Sequence, residues 1–188
     1  FQNTDDKELF TSNNLVDSKV CKLTPGSGIE LDKFKFYNLP NEHNMTFLFI
    51  ARMLRDKGVI EFVEAARRLK KLYPKINFQL LGPLGVKNRT AISITQMNKW
   101  VEEGAIEYLG KTDDVSNFIE NSSCVVLPSY REGTSRVLLE AAAIGRPIIT
   151  SDVTGCREVV DDGINGFLCQ AKDSNDLAEK IQKMILLP

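Results

Sequence analysis

The sequence predicts an α/β protein with a doubly wound parallel sheet and helices on both faces. Two observations carry the prediction. Short apolar runs of strand length recur along the 188-residue chain, and amphipathic stretches of helical period separate them. Glycine, proline and serine punctuate the junctions between the two kinds of segment. Alternation of this kind implies right-handed crossovers between parallel strands in one domain.

The strand segments are apolar without interruption, as in Phe47–Ile50 and Cys124–Leu127. Strands that are covered on both faces read in this way, whereas a half-exposed strand alternates. The segments predicted as strands are Val20–Thr24, Thr46–Ala51, Asn77–Leu81, Ile106–Leu109, Ser123–Leu127, Pro147–Thr150 and Gly166–Cys169.

The helical segments place apolar residues three and four positions apart. In the first of them, Val59, Phe62, Ala66 and Leu69 fall on one face. The predicted helices are Gly58–Tyr73, Ala91–Glu102, Thr112–Asn121, Thr134–Ile144, Gly155–Asp161 and Asp173–Leu186.

Composition excludes several classes of function. The chain carries 24 Lys and Arg against 25 Asp and Glu, a balance without the basic footprint of a nucleic-acid-binding protein. Its longest apolar runs are far too short to span a membrane. The one histidine, His43, lies in a polar loop, and the four cysteines are widely spaced, so no metal site is expected. The N-terminus is polar and acidic, and we expect a cytoplasmic protein with reduced thiols.

Familiar fingerprints of other enzyme classes are absent from the sequence. No G-x-G-x-x-G follows a strand, and no G-x-x-x-x-G-K-[ST] occurs, which argues against a dehydrogenase-type dinucleotide site and a P-loop. The G-x-S-x-G elbow of the α/β-hydrolases is also missing.

Glycine, basic and hydroxyl residues follow several predicted strands. They occur in Arg52–Gly58, at Gly110, and in Pro128–Ser135. Ligands of open α/β sheets bind at the carboxyl ends of the strands, and helix N-termini attract anions such as a diphosphate. Each of these residues taken singly also fits an ordinary turn or cap. Arg52 and Lys57 flank one turn and could converge on a phosphate group.

Two carboxylates, Glu132 and Glu140, stand with seven residues between them. Glu132 precedes the alanine-rich helix, and Glu140 lies about two turns into it. A carboxylate in an apolar helix is either paired or bound to ligand hydroxyls, and a ribose diol is one such ligand. The alternative is a capping glutamate and a surface glutamate.

Five segments taken in order resemble the C-terminal, nucleotide-sugar-binding half of a family 4 retaining glycosyltransferase with the GT-B architecture, in which this domain is Rossmann-like. The most specific is the run from Glu132 to Glu140, which matches the family's Glu–seven–Glu motif. The others are Pro25–Phe34, Arg52–Gly58, Gly155–Glu158 and Asp162–Leu168. The variants of these motifs are most similar to bacterial enzymes of capsule, O-antigen or lipid-linked oligosaccharide synthesis.

The resemblance implies a role for the charged residues. Arg52 and Lys57 would hold the donor diphosphate and neutralise charge as the nucleoside diphosphate leaves. Glu132 would contact hydroxyls of the transferred sugar, and Glu140 the ribose diol. Basic residues and a helix dipole would replace a metal ion, so no metal cofactor is expected.

The resemblance also implies contacts by small and apolar residues. N–H groups of Gly133 and Thr134 would meet the distal phosphate. Leu138 would pack near the ribose, and the main chain around Gly110 would read the base. The donor implied is a UDP-hexose or a UDP-N-acetylhexosamine.

The resemblance further divides the chain. Residues 1–18 would be a remnant of the N-terminal domain and the crossover, with Phe1–Asn3 similar to that domain's last strand and a helix after it, and residues 19–188 would be the donor domain. A lipid-linked or polysaccharide acceptor would bind the missing N-terminal domain, with possible peripheral membrane contact. We expect the isolated half to bind nucleotide weakly without turnover. A GT-B epimerase or phosphorylase, or a non-catalytic α/β binding module, is the alternative.

Overall fold

The computed structural model describes residues 1–24, 26–40 and 45–187, and its core is one parallel sheet of six strands. The strand order is β3-β2-β1-β4-β5-β6, and every neighbouring pair is parallel. This order confirms the doubly wound sheet. The strands are β1 (Thr46–Ile50), β2 (Asn77–Leu81), β3 (Glu107–Tyr108), β4 (Cys124–Leu127), β5 (Ile148–Ser151) and β6 (Gly166–Cys169).

Helices connect the strands, as the periodicity predicts. Five of the six lie between or after strands, and one precedes the sheet. The helices are α1 (Thr4–Ser12), α2 (Val59–Leu72), α3 (Ile94–Glu102), α4 (Ser116–Glu120), α5 (Arg136–Ile144) and α6 (Ser174–Ile185). Helix α2 packs against α6, and α4 packs against α5.

The two central strands are buried on both faces. All four residues of β4 are buried, and Phe47, Leu48 and Phe49 of β1 are fully inaccessible. Phe62 of α2 packs against Phe49 and Phe78, with ring centroids 5.5 and 5.8 Å apart. Layers therefore cover both sides of the sheet, which explains why these strands are apolar without alternation.

The prediction of a strand at Val20–Thr24 is wrong. Ser18–Val20 forms a 3₁₀ turn, and Val20 is 71% exposed. The backbone of the segment instead meets Phe1: the Thr24 N–H donates to Phe1 O, and the Phe1 amino group donates to Lys22 O, each across 2.8 Å. With no strand of the six-stranded sheet beside it, the segment cannot extend a ladder.

Every predicted helix is somewhat shorter in the structure, and two of them are reduced to about half their predicted length or less. Gly155–Asp161 contains only the 3₁₀ turn Arg157–Val159, because buried Cys156 and Val160 anchor the chain on either side of it. The segment at Thr112–Asn121 forms a helix only from Ser116 to Glu120, and the Asp114 carboxylate accepts a hydrogen bond from the Ser116 N–H just before its first turn. His43 and Pro25 lie outside the described residues.

Helix α6 begins at a clear cap, which gives a test of the fold. The Asp173 carboxylate accepts hydrogen bonds from the N–H groups of Asn175 and Asp176, at 2.8 and 3.0 Å. Asp173→Ala is expected to lower the free energy of unfolding by about 1 kcal/mol. Glu179→Ala, at an exposed position of the same helix, should change it by less than about 0.5 kcal/mol. Urea denaturation of both variants measures the difference, and equal values would contradict the cap.

Candidate active site

The site lies where the strand order reverses. Strand β1, the first in the sequence, lies between β2 and β4. The connection after β1 therefore leads toward one edge of the sheet, and the connection after β4 leads toward the other. A crevice opens at such a point outside the carboxyl ends of the strands. The β1 loop carries Arg52 and Lys57, and the β4 loop carries Glu132, Gly133 and Thr134.

Lys57 and Glu132 form an ion pair across this crevice. Lys57 Nζ lies 2.6 Å from Glu132 Oε1. The two side chains retain only 20% and 15% of their accessible surface. Each charge is therefore partly desolvated and neutralised by the other. The structure thus joins one candidate of each loop although 75 positions separate them in the sequence.

Backbone contact brings the two loops this close. Gly58, with a φ of +77°, would place a Cβ 2.0 Å from the Pro128 carbonyl oxygen, so only glycine fits there. The Tyr130 N–H donates to Asp56 O across 2.9 Å. The Lys57–Gly58 pair of the sequence is hence a packing requirement as well as a candidate binding element.

A cleft of about 450 Å³ is lined by two more candidates, Arg52 and Glu140, while Lys57 and Glu132 do not line it. Arg52 is exposed on the β1 loop. Apolar residues from β1 and β2 form the floor, including Ile50 and Leu81. The remaining lining residues are Glu30, Lys33, Phe34, Ala51, Gly82, Pro83, Thr112, Asp113, Val115, Arg136 and Val137.

Glu140 is a buried carboxylate that lines this cleft. The residue is 7% exposed, and burial raises the pKa of its carboxyl group above the ordinary value, while Arg136 and Lys33 oppose the rise. Arg136 Nη2 lies 3.6 Å from Glu140 Oε1. The prediction's alternative of a solvated surface glutamate does not describe this position. A buried carboxylate at a cleft is suited to accept hydrogen bonds from ligand hydroxyls.

The N-terminal end of α5 offers free donors. The Glu132 N–H donates to Thr154 O and the Ser135 N–H to Gly155 O, at 3.2 and 3.0 Å. Within the described chain no hydrogen bond is formed by the N–H groups of Gly133 and Thr134. They are available to an anion at the positive end of the helix dipole.

The N-terminal segment lies over the same loop. The Asn3 side chain donates to Gly133 O across 3.2 Å, and Asp6 forms an ion pair with Arg131. Gly133 and Thr134 line a second cavity of about 430 Å³, together with Asn3 and Asp5. The candidates therefore fall into three groups: those that line the cleft, the ion pair, and those that line this second cavity.

Two of the predicted contacts fall differently. Leu138, expected beside the ribose, is fully buried in the core, and its neighbour Val137 lines the cleft instead. Gly110, with a φ of +79°, accepts a hydrogen bond from the Gly82 N–H through its carbonyl, at 2.7 Å. The lining near it is provided by Thr112 and Asp113.

The residues that the sequence analysis did not single out are Lys33, Phe34 and Val137. Phe34 is 5% exposed and lines the cleft with Lys33. Both belong to the Pro25–Phe34 segment, whose position opposite Glu140 only the fold reveals. No cluster of His, Cys, Asp and Glu suited to a metal ion occurs in the part of the chain that the structure describes. There too, no helix is long and apolar enough to cross a membrane.

The fold and the cleft define an α/β domain of the doubly wound class, with a cleft at the carboxyl ends of its strands. The chain belongs to the family of glycosyl transferases group 1, because the family profile of that description matches residues 31–188. The match includes every candidate site residue, from Arg52 to Glu140.

Two relatives illustrate the likeness. The N,N'-diacetylbacillosaminyl-diphospho-undecaprenol alpha-1,3-N-acetylgalactosaminyltransferase of Campylobacter jejuni is 34% identical over 98% of this chain and 50% of its own length. The capsular polysaccharide biosynthesis glycosyltransferase CapM of Staphylococcus aureus is 28% identical over 95% of this chain and 49% of its own length. The chain thus spans about half the length of these relatives.

Solved structures share the fold. Anabaena HepE in complex with UDP-glucose superposes with a TM-score of 0.80 and 20% identity, over 96% of this chain and 51% of its own. WaaG, a glycosyltransferase involved in lipopolysaccharide biosynthesis, superposes with a TM-score of 0.76 and 20% identity, over 95% of this chain and 50% of its own. Both are similar to this chain in fold, which confirms the GT-B assignment of the domain.

Proposed function

We propose that the chain is the donor-binding domain of a glycosyltransferase that transfers a sugar from a UDP-sugar with retention. The observation that carries the proposal is the Lys57–Glu132 ion pair, 2.6 Å long, which joins the β1 and β4 loops at the switch point of the sheet. It places a cation for a phosphate beside a carboxylate for a sugar hydroxyl. The resemblance to family 4 enzymes supports retention.

The geometry suggests how the donor is held. Glu140 accepts from the ribose diol inside the cleft, and Arg52 at its rim meets the diphosphate. Lys57 exchanges Glu132 for the distal phosphate, and the freed Glu132 carboxylate accepts from hydroxyls of the sugar. The N–H groups of Gly133 and Thr134 complete the phosphate contacts. As the bond to the sugar breaks, these cations and dipoles stabilise the charge on the departing UDP.

In this proposal, the base contacts the main chain near Gly110 and the cleft residues that follow it, Thr112 and Asp113. The apolar contact with the ribose is made by Val137 and not by Leu138, since Val137 lines the cleft.

The donor sugar that we propose is a hexose or an N-acetylhexosamine. The name of the Campylobacter relative specifies N-acetylgalactosamine transfer to a diphospho-undecaprenol-linked sugar, and HepE binds UDP-glucose. By analogy, the acceptor is a lipid-linked or polysaccharide chain, and the enzyme works in the cytoplasm with peripheral contact to the membrane.

Residues 1–18 belong, in this proposal, to a preceding acceptor domain, and residues 19–188 to the donor domain. Large apolar side chains of residues 1–18 are exposed, among them Leu9, Phe10 and Leu15. The backbone of Phe1 also forms hydrogen bonds with Lys22 and Thr24. An acceptor domain packed on this segment would cover the apolar surface.

Calorimetric titration of this chain tests the proposal. We expect saturable binding of UDP and of UDP-N-acetylhexosamines with a Kd below about 1 mM, and weaker binding of GDP and ADP. No transfer is expected from this chain without the rest of the enzyme. A folded chain that shows no saturation by UDP at millimolar concentration would contradict the proposal. Turnover of UDP-sugars by the complete enzyme, with and without lipid-linked acceptors, separates transfer from hydrolysis or epimerisation.

A further inference from the structure

Glu61 and Tyr130 form a buried hydrogen bond that none of the donor contacts uses. Tyr130 Oη donates to Glu61 Oε1 across 2.7 Å. Glu61 lies on the first turn of α2 and is 8% exposed. Its second oxygen, Oε2, has no hydrogen-bond partner in the part of the chain that the structure describes. A buried carboxylate with so few partners is costly, which suggests a function for the bond that it does make.

The bond links the same two chain segments as the ion pair of the site. Glu61 comes four residues after Lys57, and Tyr130 comes two residues before Glu132. The segment from the β1 loop to the start of α2 is thus joined to the β4 loop by three side-chain links, which are Glu61–Tyr130, Lys57–Glu132, and Ser129 Oγ to Asp56 O. Only the second of these links consists of groups that the donor would contact.

Tyr130 is held from several sides. Its N–H donates to Asp56 O at 2.9 Å, and Lys172 Nζ lies 5.0 Å from the centroid of its ring. Burial, followed by the hydrogen bond to the Glu61 carboxylate, raises the pKa of Tyr130, so the phenol keeps its proton and remains a donor. The link between the loops therefore persists over the whole physiological range of pH.

We propose that Glu61 and Tyr130 are positioning residues for the donor. Their hydrogen bond keeps the Tyr130 side chain, and with it the neighbouring part of the β4 loop, fixed against α2 when the Lys57–Glu132 pair opens to admit the distal phosphate. The inference rests on the proposed function, because that function assigns Lys57 to the phosphate. When Lys57 has left Glu132, the link through Tyr130 keeps Glu132 within reach of the sugar.

Tyr130→Phe removes the hydroxyl and keeps the ring, and calorimetry with UDP and UMP reads the effect. UMP lacks the distal phosphate but contains the same base and ribose. We expect UDP affinity to fall about tenfold, as for loss of a hydrogen bond to a charged group, while UMP affinity changes less than about twofold. Tyr73→Phe is the matched control, because Tyr73 Oη accepts from Gln182 Nε2 at the other end of α2. It should change neither affinity.

Glu61 provides the second arm of the experiment. Glu61→Gln keeps an acceptor for Tyr130 and should restore most of the UDP affinity that Glu61→Ala loses. The double variant Glu61→Ala/Tyr130→Phe should be no weaker than either single variant, since both remove one bond. Thermal unfolding of each variant establishes that the chain is folded at the temperature of the titration.

Three outcomes would overturn the inference. Equal losses for UDP and UMP would show general damage to the site, and unchanged UDP affinity in Tyr130→Phe would show that the bond has no part in binding. If the unmodified chain binds no UDP, the proposed function fails and this inference with it. The first two outcomes leave the proposed function standing, so the two failures are distinguishable.

Discussion

Lys57→Ala is expected to weaken UDP binding by about 30- to 100-fold, the largest effect of any single substitution in the site. The substitution removes the cation that we assign to the distal phosphate and leaves Glu132, with a side chain only 15% exposed, beside the incoming anion. Attraction is thereby replaced by repulsion between like charges in a partly desolvated crevice. UMP, which does not reach the distal phosphate position, should lose less than about threefold. Calorimetry with both nucleotides measures the difference.

Two further variants sharpen this test. Glu132→Gln should keep or increase UDP affinity, because Lys57 then no longer has to leave a carboxylate, and should reduce the preference for UDP-sugar over UDP. Lys71→Ala removes an exposed cation from the far end of α2 and should leave both affinities unchanged. If Lys57→Ala lowered the affinities for UMP and UDP by the same factor, the assignment of Lys57 to the distal phosphate would be wrong.

Glu140→Ala is expected to weaken the binding of UMP and the binding of UDP to a similar extent, about 30-fold, because both nucleotides contain the ribose diol. This equal loss of affinity distinguishes Glu140 from Lys57, because Lys57→Ala is expected to lower mainly the affinity for UDP. Glu102→Ala, at an exposed glutamate of α3, is the matched control. If the affinity for UMP is unchanged in Glu140→Ala, the Glu140 carboxylate has only a structural role.

The raised pKa of Glu140 adds a dependence on pH. Burial raises this pKa above the ordinary value of 4.5, so the carboxylate is protonated on acidification before an exposed glutamate is. Nucleotide affinity should therefore fall as the pH descends through this raised pKa, since a protonated carboxyl accepts less well. The affinity of Glu140→Gln should not show that step.

The effect on stability has the opposite sign. A carboxyl whose pKa is raised in the folded state contributes stability that is complete below pH 4.5 and is lost as the pH rises through the raised value. At a pH above this raised pKa, the charged, buried Glu140 consequently destabilises the unliganded fold. Glu140→Gln should have a higher midpoint of thermal unfolding than the unmodified chain at pH 7, and this difference should shrink towards pH 4. Glu102→Gln should show neither change.

Local sequence patterns were sufficient to predict the strands of the sheet and the helix that follows β1. The uninterrupted apolar runs at Phe47–Ile50 and Cys124–Leu127 predict strands that are covered on both faces, and the structure buries them completely. The three- and four-residue spacing from Val59 to Leu69 predicts α2. Both signals arise from backbone geometry within one element, which a window of a few residues contains.

The same local signals fail where pairing partners matter. Val20–Thr24 is as apolar as an edge strand, but no strand of the six-stranded sheet lies beside it, so it stays exposed. Leu138 and Val137 are adjacent apolar residues of one helix, and only the direction in which α5 packs decides which of them lines the cleft.

The candidate site shows the same division. Sequence motifs predict that Arg52, Lys57, Glu132 and Glu140 serve one binding function, and the family match includes all four positions. That Lys57 pairs with Glu132 while Glu140 lines the cleft with Arg52 follows from the strand order, which places β1 beside β4. The Glu61–Tyr130 bond depends in turn on the close approach of the two loops at Gly58. Contacts between residues about 70 positions apart are set by tertiary packing, and no local periodicity records them.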